Sequence, residues 1–246
     1  MLMVTTIPGV ETSYGKTDIG RVHSSGMRVY FSDPATGWRR MPDVSEFGRN
    51  VGYVNAGQYP VFVGDFNGDG KSDVGRVHTR GVGVLLSKGN GQWERVADID
   101  GDLGINQGYA GTGTHPIVLG DFNGDGGIDI GRAGDQQIRS YRFQGAKGWV
   151  ALEPLVRFTK AQGYTSTMKY PILTGDFDGD AKTDIARIGE QQTDVSLSKA
   201  PFPDLLAEMK GNLGGGAAIT YAPSSCYANT LLPFRVYTVS SITSDD

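Results

Sequence analysis

The chain has 246 residues with 23 basic and 27 acidic side chains, a formal net charge of -4, and 38% hydrophobic residues. That is enough for one large domain or two small ones, and 37 glycines suit short strands joined by tight turns rather than long helices. A single cysteine, Cys226, excludes an intrachain disulfide or a zinc knuckle; no apolar run reaches the roughly 18 residues of a membrane span, and no basic stripe offers itself to nucleic acid.

The first sixteen residues, MLMVTTIPGVETSYGK, have neither a charged start nor an apolar stretch long enough for a secretory signal. The expectation is export by another route, or a place within something longer. GKTDIGRV (Gly15 to Val22) then reads as a strand, RVYFS as the next, and Trp38 marks another. The same text returns 55 residues later as GKSDVGRV (Gly70 to Val77).

Three full units follow. Each opens with a Gly-Tyr pair (Gly52-Tyr53, Gly108-Tyr109, Gly163-Tyr164) and a proline before a short apolar run: Pro60 with VFVG, Pro116 with IVLG, Pro171 with ILTG. Apolar runs bounded by breakers are buried strands. Next come three acidic loops: GDFNGDGKSD (Gly64 to Asp73), GDFNGDGGID (Gly120 to Asp129) and GDFDGDAKTD (Gly175 to Asp184), with Asp65, Asp121 and Asp176 spaced 56 and 55 residues apart. A second strand leaves each loop (SDVGRV, IDIGRA, TDIARI) and a third follows (VGVLLS, QIRSYRF, DVSLSK). Trp93 and Trp149 mark a fourth in two of the units. Four antiparallel strands per repeat of this length is a propeller blade. The sequence therefore predicts an all-β chain: about four blades over residues 1–199, the first incomplete, then a connector and a short β segment over 200–246. In that tail PFPDLLAEMKGNLGGG predicts one helical turn, and ITYAP and FRVYTVSSITSDD predict strands.

Within each acidic loop, oxygen-bearing side chains alternate with glycine, which wraps a hard cation such as calcium. The expected ligands are Asp65, Asn67, Asp69 and Asp73 with the carbonyl of Lys71; Asp121, Asn123, Asp125 and Asp129 with the carbonyl of Gly127; and Asp176, Asp178, Asp180 and Asp184 with the carbonyl of Lys182. About three calcium ions follow, with affinities of roughly 10⁻⁴ to 10⁻³ M. An EF-hand would need a glutamate at position twelve, where Arg76, Arg132 and Arg187 stand, and helices on the flanks. The other reading is plain Asx-turns without metal, against which stands the repulsion of carboxylates crowded into nine residues. The third loop has Ala181 where the others have Gly70 and Gly126. A positive φ there would cost alanine about 1 kcal/mol. In the first unit Val10, Thr12 and Tyr14 replace the ligands and only Asp18 survives, so no ion is expected. Ten acids lie in these loops, so the excess negative charge is local and implies no polyelectrolyte partner.

The strand–DxNGDGxxD–strand pattern over residues 10 to about 199 resembles the FG-GAP/VCBS repeat of integrin-α-like β-propellers. That resemblance implies a propeller whose loop residues bind calcium. The tail, through Asp204-Leu205-Leu206, Gly211-Asn212-Leu213-Gly214, Ile219-Thr220-Tyr221 with Pro223, and Leu232-Pro233-Phe234, resembles the segment after the propeller in bacterial Rhs/YD-repeat proteins and toxin-complex B components (SpvB-like). It implies the start of a middle domain, secretion or surface display, and docking on a protein partner or on downstream toxin-shell domains.

Signals of catalysis are weak. The acids come in three periodic sets rather than one catalytic pair. His23 and His78 occupy equivalent repeat positions, His115 is isolated, and Cys226 has no base nearby in sequence. GKT at Gly15 to Thr17 lacks the earlier glycine of a P-loop, since Val10 stands there. The expectation is a non-catalytic scaffold. The alternative is an adhesion or lectin-like module, with Trp38, Trp93 and Trp149 either stacking sugars or filling blade cores. An open stack of four blades is also expected to expose an apolar blade face and to associate.

Overall fold

The computed structural model describes residues 2–6, 17–33, 35–48, 55–200, 205–211, 215–223 and 237–245. Val10, Thr12, Tyr14, Gly52, Tyr53, Asp204, Cys226 and the 232–234 stretch lie outside these. The chain is all-β, interrupted in the described residues only by single 3-10 turns at Ile105–Gln107, Gly145–Lys147 and Lys160–Gln162. Among the described residues no helix is long and apolar enough to cross a membrane.

Five antiparallel sheets follow in chain order, each threaded strand to neighbouring strand. The first holds β1 (Leu2–Thr6), β2 (Thr17–His23), β3 (Gly26–Asp33) and β4 (Gly37–Arg40). In the second, β5 (Val61–Gly64), β6 (Asp73–Val77), β7 (Gly81–Gly89) and β8 (Gln92–Arg95) are joined by the two-residue β9 (Ile99–Asp100). The third consists of β10 (Ile117–Gly120), β11 (Asp129–Ala133), β12 (Ile138–Phe143) and β13 (Trp149–Ala151). β14 (Ile172–Gly175), β15 (Asp184–Ile188) and β16 (Thr193–Ser196) make the fourth. The tail sheet is β17 (Glu208–Lys210), β18 (Gly216–Pro223) and β19 (Tyr237–Asp245).

Two expectations change. The first sheet has all four strands, because β1 supplies the strand that the degenerate N-terminal text did not advertise. The blade with three strands among the described residues is the fourth, where the sequence after β16 has Pro201 and Pro203 in place of a Gly-Trp or Gln-Trp start. In the tail, the described part of the segment expected to hold a helical turn is not helical: residues 208–210 are extended and pair with β18.

The blades stack face to face because alternate residues of each strand point to opposite sides. Val74 and Leu85 point back to the first sheet and pack with Met27, Val29 and Phe31. Phe62, Val77, Val82, Val84 and Leu86 point forward and pack with Ile130, Ile117, Ile128 and Tyr141 of the third sheet. Val118, Phe122, Ala133 and Ile138 then meet Ile185 and Ile172 of the fourth. The second strands β6 (DVGRV) and β11 (DIGRA) are buried throughout, including an aspartate and an arginine in each. Gly75 lies where a Cβ would come within 2.2 Å of the Phe62 ring, so the blade has room there for the phenyl and nothing more.

Candidate metal centre

Each acidic loop joins the first two strands of its blade and folds around its own carboxylates. Asp65 Oδ1 and Oδ2 accept from the N–H groups of Asp69 (3.0 Å) and Gly70 (2.7 Å). Asp121 accepts likewise from Gly124 (2.6 Å), Asp125 (3.0 Å) and Gly126 (2.9 Å), and Asp176 from Gly179 (2.6 Å) and Ala181 (2.8 Å). The turn needs a positive φ at one repeated position, occupied by Gly70 (81°), Gly126 (87°) and Ala181 (66°). The alanine therefore does sit in the left-handed region, as its place in the repeat suggested.

The last acid of each loop ties it to the blade. Asp73, Asp129 and Asp184 are buried and accept from the N–H of Phe66 (2.9 Å), Phe122 (2.9 Å) and Phe177 (2.8 Å). Asp73 and Asp184 also accept from Ser87 and Ser198 (both 2.8 Å) at the end of the third strand. Asp18 keeps this bond in the first sheet, accepting from Ser32 at 2.7 Å. Burial, reinforced by the neighbouring acids, pushes the Asp73 carboxyl up to about 7 and Asp129 up to about 8. Asp121 is raised by burial too. Carboxylates desolvated beside other carboxylates lack a positive charge, and a hard cation supplies one.

The three loops are not equal. In the third, Asp176, Asp178 and Asp184 bring one oxygen each within 4.8 Å of one another; among the described residues this is the one such trio of possible metal-binding acids. The first two loops carry Asn67 and Asn123 at the middle position. The fifth-position acid is turned to a cationic side chain in every loop: Asp69 to Lys71 Nζ (2.8 Å), Asp125 to Arg142 Nη1 (3.4 Å), Asp180 to Lys182 Nζ (2.8 Å). Burial opposes ionisation of Asp69, but its bonds from Lys71 and Asn67 outweigh that and hold its carboxyl below the usual range. The N–H groups of Lys71, Gly127 and Lys182 donate to the same fifth-position acids at 2.9, 3.0 and 2.9 Å. The donor set thus fits a divalent ion best at the third loop, where three carboxylates converge. Tyr237, at the start of β19, lies close enough that burial and the third-loop acids raise its hydroxyl pKa.

The loops also join blade to blade. The Asp65 carbonyl accepts from Ile128 N–H and the Asp121 carbonyl from Thr183 N–H, both at 2.7 Å. A second repeated joint was visible in the sequence only as the arginine that excludes an EF-hand. Arg76, Arg132 and Arg187 are buried (3, 0 and 1% exposed). Arg76 donates to the Phe47 carbonyl and Arg132 to the Leu103 carbonyl (2.6 Å), both in the connector from the preceding blade. Arg132 and Arg187 stack over Tyr109 and Tyr164 at 5.1 Å, which explains the Gly-Tyr pair: Gly108 and Gly163 close a turn at positive φ and the tyrosine meets the guanidinium. Burial pulls the Arg132 guanidinium down to about 10.

Residues 65–132 and 121–186 each match the FG-GAP-like repeat family. The chain therefore carries tandem FG-GAP-like repeats in a propeller-like fold. No curated protein matches the sequence. Among solved structures, the chain is similar to a lectin of Agrocybe aegerita described for specific recognition of non-reducing terminal N-acetylglucosamine. That match has 21% identity and a TM-score of 0.72, and covers 81% of this chain and 50% of the lectin. It is also similar to the Tc holotoxin pore of Photorhabdus luminescens, at 17% identity and a TM-score of 0.63 over 94% of this chain and 11% of that one. A third match is TcdB2-TccC3 without its hypervariable C-terminal region, at 15% identity and a TM-score of 0.60 over 100% of this chain and 14% of that one. The chain spans half of the lectin and a small part of the toxin chains, and the likeness is one of fold.

Proposed function

We propose that the chain is a non-catalytic, calcium-pinned β-propeller scaffold that docks partners within a secreted or surface-exposed protein of the toxin-complex type. The observation that carries this reading is the double duty of the acidic loops. The residues that would hold calcium also form the backbone bonds between consecutive blades, so a cation there stiffens the stack as well as the turn. The third loop, with its three converging carboxylates, would bind first and most tightly. The likeness to Tc toxin structures, one of which runs over the whole chain, supports reading residues 200–246 as the start of a following toxin-complex-B/Rhs-like domain.

Support for the absence of catalysis comes from the histidines. His23, His78 and His115 each face an aspartate: Asp43 (3.6 Å), Asp98 (3.1 Å) and Asp135 (2.9 Å). The first two pairs recur at the same repeat positions. Ser25 Oγ lies 3.1 Å from His23 Nδ1, but Asp43 is held by Arg28 and Arg40, and the equivalent pair in the second blade has no serine. We read the first two pairs as clips between the end of a blade's second strand and the segment after its fourth, and His115–Asp135 as a clip between the entry to β10 and the exit of β11.

The test is calcium titration by calorimetry together with thermal melts in calcium and in chelator. Saturable binding with a higher Tm is expected; no heat and no shift would overturn the calcium reading. The lectin-like alternative draws on the fold shared with the Agrocybe aegerita lectin. Against it, Trp93 and Trp149 pack between blades rather than facing solvent. A glycan array would decide: binding that survives in chelator and is lost with an exposed aromatic residue would favour the lectin.

A further inference from the structure

The repeat shows what each blade face is built to touch, and the described residues of this chain leave both end faces of the stack exposed. In the second sheet the forward face buries Phe62, Phe66, Val77, Val84 and Leu86, which are 8, 1, 0, 0 and 4% exposed. The residues at the same repeat positions in the fourth sheet are Leu173, Phe177, Ile188, Val195 and Leu197, and they are 47, 49, 36, 39 and 43% exposed. An apolar face this large on one side of one sheet marks an interface. The opposite end mirrors it. Trp38, Ile19 and Arg21 of the first sheet stand where later blades have Trp93 and Trp149, Val74 and Ile130, and Arg76 and Arg132. Trp38 is 50% exposed, Ile19 half-buried and Arg21 exposed, whereas Val74, Ile130, Arg76 and Arg132 are buried.

The contact that would fill both ends already exists inside the chain. Trp149 sits edge-on to Phe66 of the preceding blade, with ring centroids 6.3 Å apart, and donates from Nε1 to the Ala97 carbonyl at 2.9 Å. Phe177 is the Phe66 of the fourth sheet and Trp38 is the Trp149 of the first. We propose that two copies of this chain join head to tail, the exposed face of the fourth sheet in one copy receiving the open face of the first sheet in the other, with Trp38 seated on Phe177. The contact is heterologous, so it builds a ring if the rotation closes and an open chain of copies if it does not. It depends on the blade stack and not on calcium, so its failure leaves the calcium reading untouched.

Sedimentation velocity of the whole chain over a range of concentrations tests this. The wild-type chain should exceed the mass of one copy as concentration rises. Trp38→Ala and Phe177→Asp should each shift association to at least tenfold higher concentration, while Met168→Asp, a 93% exposed residue away from these positions, should not. The deciding arm is an equimolar mixture of the first two variants. One retains the fourth-sheet face and the other the first-sheet face, so the mixture should recover a species of two copies and no larger. This arm also guards against variants that merely misfold, which could not recover it. A wild-type chain that stays monomeric at high micromolar concentration, association that both variants leave intact, or a mixture that stays monomeric would overturn the proposal.

Discussion

One repeat position tests the stacking directly, because the same phenylalanine has three different surroundings. Phe66 is 1% exposed, Phe122 9% and Phe177 49%. Phe66 also makes edge contacts with Phe62 (6.0 Å between centroids) and Trp149 (6.3 Å). Replacing a fully buried phenylalanine by alanine loses its transfer free energy and leaves a cavity, together about 3 to 5 kcal/mol. Phe66→Ala should fall in the upper half of that range because two aromatic contacts go as well. Phe122→Ala should cost about 3 kcal/mol. Phe177→Ala, half in water already and leaving no closed cavity, should cost about 1 kcal/mol. For a chain of this length each kcal/mol is roughly 2 to 4 °C in Tm, so Phe66→Ala should melt roughly 8 to 20 °C below wild type and Phe177→Ala within about 4 °C. The melts belong at a concentration where the chain is monomeric, since association would protect Phe177. Equal losses at positions 66 and 177 would refute the view that the forward face is covered in one blade and open in the other.

Other outcomes follow from the loops and the clips. At free calcium 100-fold above Kd, each occupied site should add about 2.7 kcal/mol. Asp178→Asn, which gives the third loop the amide that Asn67 and Asn123 supply in the other two, should lower the third site's affinity and reduce its share of the chelator-sensitive Tm shift to the level of theirs. Ala181→Gly should stabilise the chain in urea by about 0.5 to 1 kcal/mol, the relief of left-handed strain exceeding the added freedom of the unfolded chain. Burial raises the Asp98 carboxyl, but the hydrogen bond from His78 and the charge of Arg95 prevail and hold it below its usual 3.8. Its contribution is therefore present above pH 3.8 and lost as pH falls through the lower folded value. Asp98→Asn should cost up to about 1 kcal/mol at neutral pH, and its difference from wild type in denaturant melts should shrink below pH 3.8. A constant difference at all pH values would show that the pair carries no charge effect.

The strand text of the three full units was legible in the sequence nearly to the residue. VFVG, IVLG and ILTG are β5, β10 and β14, and the strands after each acidic loop are β6, β11 and β15. These segments are short, β-branched and bounded by glycine, proline or the acidic turns, so local composition and the sheet ask for the same residues. Positive φ at Ala181 was legible for the same reason, since glycine at two of three equivalent positions reports backbone shape. β1 was not legible, because LMVTT sits beside text that has lost the repeat. Nor was β17, whose pairing with β18 overrides a run that is locally helix-compatible.

For the candidate site, the amino-acid order alone determined which acids share a loop, that the loops are equivalent, and that strands flank them, because turn chemistry is local. Only the tertiary structure decided how those acids are used. Whether Asp69 meets a cation or Lys71, whether Asp178 converges with Asp176 and Asp184, and whether Phe177 is core or surface all depend on side-chain direction and on the neighbouring blade. The arginine at position twelve carries the same lesson: in sequence it only excludes an EF-hand, and in the fold it reaches the connector of the preceding blade, a contact that exists only once the sheets stack.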